Sequence, residues 1–366
     1  SLKVPFGIAQ MGKSFRNEVT VEHFIFRSCE FEQMEMEFFC EPGTQGEWMQ
    51  FWKKARMDWW TRYARHPGKF RFRAHEKSEL AHYADQCFDV EYEYPWGWGE
   101  LEGIASRTDH DLHAHQEHSG ENLEYIDAEK DDPKTGKRPW RYLPFVIEPA
   151  AGATRAVLCF LLDAYTEEER RTATGETELR TVLKLHPRLA PIKCALLPLV
   201  KKDGMPETAR ELIAALLAAG INAKYDEKNS IGKRYAKHDE IGTPWCVTID
   251  GQTLSDGTVT LRDRDTTEQV RLPSGEVARV IAEKLNIAGK IDNTGEDYLM
   301  IVDSNFGGAK SNLFIKEDIS QEMTIGNDGT ITKKLTVIYT NTAPASNCNL
   351  EAGQLCLNAT VPDVVR

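Results

Sequence analysis

The chain has 366 residues, of which 41% are hydrophobic and 28% charged, with a formal net charge of −12. That length holds two or three domains with cores of their own, in the composition of an ordinary soluble globular protein. No apolar run approaches the roughly 20 residues of a membrane span, no signal-like start is present, and the acidic total argues against a nucleic-acid partner unless one face is locally basic. The chain opens on Ser1-Leu2 inside strand-like sequence and is expected to be a fragment. Eight cysteines form no CxxC pair, and the six up to Cys246 fall in apolar or strand-like stretches. Reduced core thiols in a cytoplasmic protein are therefore expected.

In chain order, residues 2–10 are a strand-like lead, and residues 15–35 read as a strand, a turn and a returning strand. Residues two and four apart on a strand face the same way. Arg27, Phe31 and Glu35 are thus expected in a row on one sheet surface, with Arg16 and Glu18 on the facing arm. A cation, an aromatic face and a carboxylate in that order suit a phosphate, a purine ring and an amino group; a hairpin with solvated charges is the bland alternative. Residues 47–65 carry Trp48, Phe51, Trp52, Trp59 and Trp60, mostly at helical spacing. They predict an amphipathic helix packing aromatics on a sheet, rather than a base-stacking stripe. Residues 70–94 begin and end as strands, and the acids Asp89, Glu91 and Glu93 are expected on a solvated face.

In residues 95–109, Gly97 and Gly99 let the backbone approach a ligand closely, with Glu100 next and Glu102 pointing the same way. His110, His113, His115 and His118 invite a zinc reading, but they read as the solvated start of a helix and no zinc is expected. A polar loop over a hairpin turn follows at 120–138. An apolar strand then ends at Glu148-Pro149, small residues turn, and a helix carries Arg155 in its first turns. Residues 166–178 are the best linker candidate. Beyond them come a strand, a helix ended by Gly220, a strand, a basic helix with Lys228, Lys233, Arg234, Lys237 and His238, a further strand and a hairpin arm. Such a basic cluster can neutralise phosphates or be a solvated face.

The pattern F-R-x-E, a loop, then R-x-x-x-F-x-x-x-E resembles motif 2 of class II aminoacyl-tRNA synthetases. FRNE with EFEQMEMEFF looks like the dimeric glycyl-tRNA synthetase family. HEKSELAHY, WGELEGIA, DLHAHQEHSG and EPAAGATR continue the likeness in order, the last resembling motif 3. GKRYAKHDEIGTP and TLRDRDTTEQV resemble the anticodon-binding domain of class IIa enzymes. The resemblance implies an α+β fold: a class II antiparallel sheet with helices over 1–168, a mixed α/β anticodon-binding domain over 179–285, and an unrelated β-rich tail over 286–366. It implies glycine–tRNA ligase activity, with ATP, Mg2+, glycine and tRNA(Gly) as ligands and a homodimer in the intact enzyme.

By matching position, the resemblance places Arg16, Asn17, Glu18, Phe26, Arg27, Phe31, Glu100, Leu101, Gly152 and Arg155 at ATP, with Glu100 on its magnesium. Arg16, Arg27 and Arg155 would be catalytic. Phe31, Glu32, Gln33, Glu35, Glu148 and Gly152 fall to glycine, and Lys233, Arg234 and Lys237 to tRNA. Three departures stand out: Cys29 replaces a second arginine of motif 2, Ala150 replaces a serine of E-P-S, and motif 1 with the upstream R-P-E-T-A-Q segment is absent. They leave a non-catalytic tRNA- or protein-binding relic and another class IIa synthetase as alternatives. In the tail, Asn327-Asp328-Gly329 reads as a hairpin turn, and Cys348 and Cys356 are close enough to pair in an oxidising compartment.

Overall fold

The run EFEQMEMEFFC alternates so that one strand face is apolar and the other carries polar and charged side chains, and the first sheet is built around it. A computed structural model describes residues 2–76, 78, 86–171, 175, 177–288, 315–325 and 331–341. Strands β1 (Phe6–Phe15) and β2 (Glu30–Cys40) are followed by helix α1 (Gln45–Tyr63) and strands β3 (Phe70–Ala74), β4 (Gln86–Tyr94) and β5 (Gly97–Thr108). Helix α2 (His110–Ser119), the short pair β6 (Tyr125–Asp127) and β7 (Trp140–Tyr142), strand β8 (Phe145–Gly152) and helix α3 (Ala153–Ala164) complete this body. The sheet order is β1-β2-β8-β5-β4-β3, antiparallel throughout.

Met34, Met36, Phe38 and Cys40 of β2 turn toward a core that also takes Trp48, Trp52, Trp59 and Trp60 of α1 and Ala156, Cys159 and Phe160 of α3. The α1 tryptophans are thus core, as their spacing predicts, whereas Phe51 is exposed. On the opposite face Phe31, Gln33, Glu35, Glu37 and Phe39 line an open cleft. Two expectations about strand length are corrected. Arg27 precedes β2 and sits in the loop, bridged antiparallel to Glu22, because the returning strand pairs only from Glu30. Strand β8 does not stop at Glu148-Pro149. It runs to Gly152, and the missing proline N–H shows as a gap in the β2–β8 ladder between the Glu35–Ala150 and Phe38–Ile147 pairs.

The stretch expected as a linker forms paired strands, β9 (Tyr165–Arg171) with β10 (Thr177–Leu183). Then come β11 (Cys194–Pro198), α4 (Met205–Ala218), β12 (Ala223–Tyr225), α5 (Ile231–Glu240), β13 (Trp245–Ile249), α6 (Gly251–Asp256), β14 (Thr258–Asp263), β15 (Gln269–Pro273) and α7 (Val277–Lys284). Strand order is β12-β11-β13-β14-β15, parallel for the first three and antiparallel for the rest, a mixed sheet as expected. Its core joins Leu196, Trp245 and Val247 to Ala209 and Leu216 of α4 and Val277 and Ile281 of α7.

By its contacts the chain divides into Ser1–Lys290 and Ile291–Arg366. In the second unit β16 (Ile315–Ile325) pairs antiparallel with β17 (Ile331–Asn341). The turn at Asn327-Asp328-Gly329 and the two tail cysteines, Cys348 and Cys356, lie outside the described residues, as does most of HEKSELAHY. No described helix is long and apolar enough to cross a membrane.

Candidate active site

Strands β2, β5 and β8, the loop before β2 and the starts of α2 and α3 enclose a cleft of about 820 Å³. At one end, Arg155 enters from the first turn of α3. Its Nε donates to the Phe26 carbonyl at 2.8 Å and its Nη1 to the Glu100 carbonyl at 3.0 Å, while the guanidinium lies 4.6 Å from the Phe26 ring centroid. The Glu100 carboxylate is 3.5 Å from the same guanidinium. Arg155 therefore ties the loop to β5 and keeps a charge at the cleft edge. Arg16 sits 5.5 Å from the Phe31 ring centroid, and Arg27 pairs with Glu22 at 3.3 Å.

At the other end three carboxylates, Glu35, Glu37 and Glu148, have oxygens within 4.8 Å of one another. Arg107 of β5 braces them. Its Nη1 lies 2.9 Å from Glu148, and its Nε and Nη2 donate to Asp111 at 2.6 and 3.2 Å. Burial pushes Glu148 up to about 8 against the pull of Arg107, and Glu37 adds to the rise. Burial also raises Glu37, against the pull of its hydrogen bond with Glu148 and of Arg107. Asp111 is held low, chiefly by its hydrogen bonds from Arg107. An acidic floor of three carboxylates beside Arg107 suits an ammonium group.

A model of the anticodon binding domain matches residues 193–284. The chain is 49% identical to the glycine–tRNA ligase of Treponema denticola over 286 residues, which cover 78% of this chain and 62% of that relative. It is 50% identical to that of Geobacillus kaustophilus over 285 residues and 51% identical to that of Clostridium perfringens over 283, each covering 77% of this chain and 58% of the relative. The chain belongs to the glycine–tRNA ligase family. It spans about three-fifths of the length of these curated relatives.

Of the positions that the glycine–tRNA ligase resemblance singles out, Arg16, Glu18, Phe26, Arg27, Phe31, Gln33, Glu35, Glu100, Leu101, Glu148, Gly152 and Arg155 line the one cleft, with Ala150 among them. Asn17 is exposed and not among the lining residues, and Glu32 turns away because alternation sends it to the opposite face from Phe31 and Gln33. Glu102 is also corrected. The β4–β5 register shifts so that Val90 pairs with Glu102 and Glu91 with Glu100, leaving Leu101 as a bulge. That extra residue sends Glu102 away from Glu100, into the core, where Arg56 Nε and Trp60 Nε1 donate to it at 2.6 and 2.5 Å.

Gly99 serves packing rather than a ligand, since a Cβ there would meet the Phe26 ring at 2.9 Å. Gly97, at φ +114°, closes the two-residue turn of Pro95 and Trp96. The expectation of a solvated acidic ladder fails for Asp89 and Glu91. Both are buried, Glu91 accepting from Arg71 at 2.7 Å and Asp89 bonded to His75 at 2.7 Å. Among the described residues the four histidines of α2 form no group of three converging ligands.

The basic helix α5 needs the largest correction. Arg234 and His238 are buried, one turn apart on the inner face. Arg234 Nη1 donates to the Pro198 and Asp226 carbonyls at 2.7 and 3.1 Å, and so cannot present its charge to RNA. Burial brings His238 down to about 4, so it is neutral. Lys237 is half-exposed and donates to Asp226 at 2.6 Å, which leaves Lys228 and Lys233 as the exposed cations.

Sequence reasoning missed Glu37, Arg107 and Asp111. The signal was present for the first two: Glu37 continues the two-residue period of Phe31, Gln33 and Glu35, and Arg107 that of Gly103 and Ala105.

Proposed function

We propose that this protein is a glycine–tRNA ligase that activates glycine with ATP and passes the glycyl group to tRNA(Gly). The observation that carries the reading is a single cleft with guanidinium groups and an aromatic ring at one end and three converging carboxylates at the other. In the first step a glycine carboxylate oxygen attacks the α-phosphorus of ATP, forming glycyl-adenylate and releasing pyrophosphate. In the second the tRNA 3′-terminal hydroxyl attacks the glycyl carbonyl and AMP leaves. Such a site works by positioning and charge stabilisation more than by acid–base chemistry.

Arg16, Arg27 and Arg155 carry the catalytic charge in this proposal. Arg16 holds the α-phosphate, Phe31 stacks the adenine, and Arg155 closes on the phosphates from α3. Glu18, Phe26 and Leu101 complete the nucleotide walls. The Glu100 carboxylate, a hard oxygen donor at the cleft wall, fits a magnesium ion carried by ATP, which would neutralise phosphate charge. Glu35, Glu37 and Glu148 hold the ammonium, and Gln33 and Gly152 flank it. Glycine offers no side chain to grip, so exclusion of larger amino acids by a small pocket supplies the selectivity. The exposed Lys233, with Lys237 beside it, is the tRNA contact on α5, and the homodimer that the resemblance implies belongs to the same proposal.

Pyrophosphate exchange into ATP tests this directly. Exchange should depend on glycine and not on alanine or serine, and Arg155→Ala should weaken ATP binding by calorimetry. Loss of a charged hydrogen-bonding partner is worth about 1.5–3 kcal/mol, roughly tenfold or more in affinity. A chain that binds tRNA(Gly) but shows no glycine-dependent exchange overturns the catalytic reading in favour of a tRNA-binding role.

A further inference from the structure

The cleft has a second cluster that neither the nucleotide end nor the ammonium end uses. Strand β3 pairs with β4 through Ala74 and Phe88, and the ladder continues one step further, His75 N donating to the Cys87 carbonyl at 3.0 Å. His75 and Cys87 are therefore cross-strand neighbours, and Asp89, two residues along β4, shares their face. All three line the cleft. Their ligand atoms, an imidazole nitrogen, a thiol sulfur and a carboxylate oxygen, lie within 4.8 Å of one another. Beside them on β5 stand small residues, Ala105 opposite Cys87 and Gly103 opposite Asp89.

We propose that His75, Cys87 and Asp89 form a zinc-class metal site in the cleft wall, with its fourth coordination position open to the cleft. Zinc with ligands at 2.0–2.3 Å places them about 3.3–3.8 Å apart, and the three ligand atoms now lie within 4.8 Å of one another. The nitrogen–sulfur–oxygen donor set selects zinc, or cobalt as its substitute, over magnesium, which requires oxygen ligands. Three protein ligands and one open position is the coordination of a zinc that takes up a further ligand. The ion would replace the present hydrogen bond between His75 Nε2 and Asp89 Oδ2, 2.7 Å long. Arg73 Nη1, 3.5 Å from the same oxygen, stays as an outer partner of the carboxylate. This site differs from the expectation of no zinc, which was drawn from the histidine run on α2, and it does not depend on the ligase reading.

Cobalt substitution and zinc calorimetry on the full chain test it. A thiolate-to-cobalt charge-transfer band at neutral pH reports a metal bound through the Cys87 sulfur in place of its proton. One equivalent of cobalt should produce the band together with four-coordinate visible bands, and excess magnesium should leave them unchanged. Cys87→Ser, Cys87→Ala and His75→Ala should each abolish the band and the stoichiometric zinc heat. Cys29→Ser, His113→Ala/His118→Ala and Cys348→Ser/Cys356→Ser should keep both. Absence of the band in the unmutated chain, or its survival in a folded Cys87 variant, overturns the proposal; the unmutated spectrum decides the matter even if a variant fails to fold.

Discussion

The cleft of the first sheet and the interior of the anticodon-binding body both concentrate arginines and acids, yet they use them in opposite ways. In the second body Asp239 accepts from Arg180 Nε and Nη2 at 3.1 and 2.8 Å and from Arg262 Nη1 and Nη2 at 2.8 and 3.0 Å. Arg264 closes the group, donating to the Gly242 and Leu185 carbonyls at 2.8 Å. These charges are buried, matched and surrounded by packed side chains. Through Arg180 on β10 and Asp239 on α5 they also lock the β9–β10 arm to the mixed sheet. In the cleft, Arg107 braces an excess of carboxylates and Arg155 keeps part of its surface on open space. A charge whose partners are complete holds the fold together. One that lines an open cleft is available to a ligand.

The largest expected effect follows from the closed side of that contrast. Asp239→Ala leaves Arg180 and Arg262 buried without their shared carboxylate, and breaking such a pair costs about 3–5 kcal/mol. Urea unfolding should show a lower midpoint of that size in the second body. A shift below about 1 kcal/mol would mean that the group tolerates an unmatched charge and the contrast is false.

On the open side, the raised Glu148 predicts that glycine binding, as proposed above, depends on pH. Glu148, raised to about 8, is protonated at neutral pH, and an arriving ammonium favours its charged form. Glycine should therefore release a proton on binding at pH 7, and the release should fade as pH rises above about 8, where Glu148 is already ionised. Calorimetry in buffers of different ionisation enthalpy counts those protons. Glu37→Gln removes the neighbouring carboxylate, lowers the pKa of Glu148 and should reduce the release; unchanged proton counts in this variant would separate Glu37 from the ammonium site.

The smallest effect distinguishes two neighbours on α5. Lys233→Ala should weaken tRNA binding and reduce the slope of log affinity against log salt by about one, with unchanged stability. Arg234→Ala should destabilise the fold and leave that slope alone in the folded fraction, since its guanidinium bonds backbone carbonyls rather than facing solvent. A reversal of the two would move the RNA contact onto a different face of the helix.

Much of this contrast was already legible in the sequence. Alternation in EFEQMEMEFF gave the strand and its two faces, and the tryptophan spacing placed α1 on the core side. The family resemblance implies a mixed sheet after residue 190 and places Arg16, Phe31, Glu35, Glu148 and Arg155 at the site. The strand faces and the core side of α1 depend on local periodicity, which the chain carries within a few residues; the mixed sheet and the site positions of Arg16, Glu148 and Arg155 rest on the family resemblance. What the sequence could not carry was the pairing of distant segments. A bulge at Leu101 exists only where β5 meets β4, and it alone turns Glu102 from a cleft residue into the acceptor of Trp60 and Arg56. Arg155 and Arg234 both stand in early turns of helices flanked by small or polar residues. Packing leaves one at a cleft and closes the other inside the sheet's edge. The convergence of His75 with Cys87 and Asp89 likewise comes from register between two strands. Sequence determined which side chains each element carries and which face they take; tertiary pairing decided which of those faces was filled and which was left open, because burial and charge compensation depend on neighbours that lie tens of residues away.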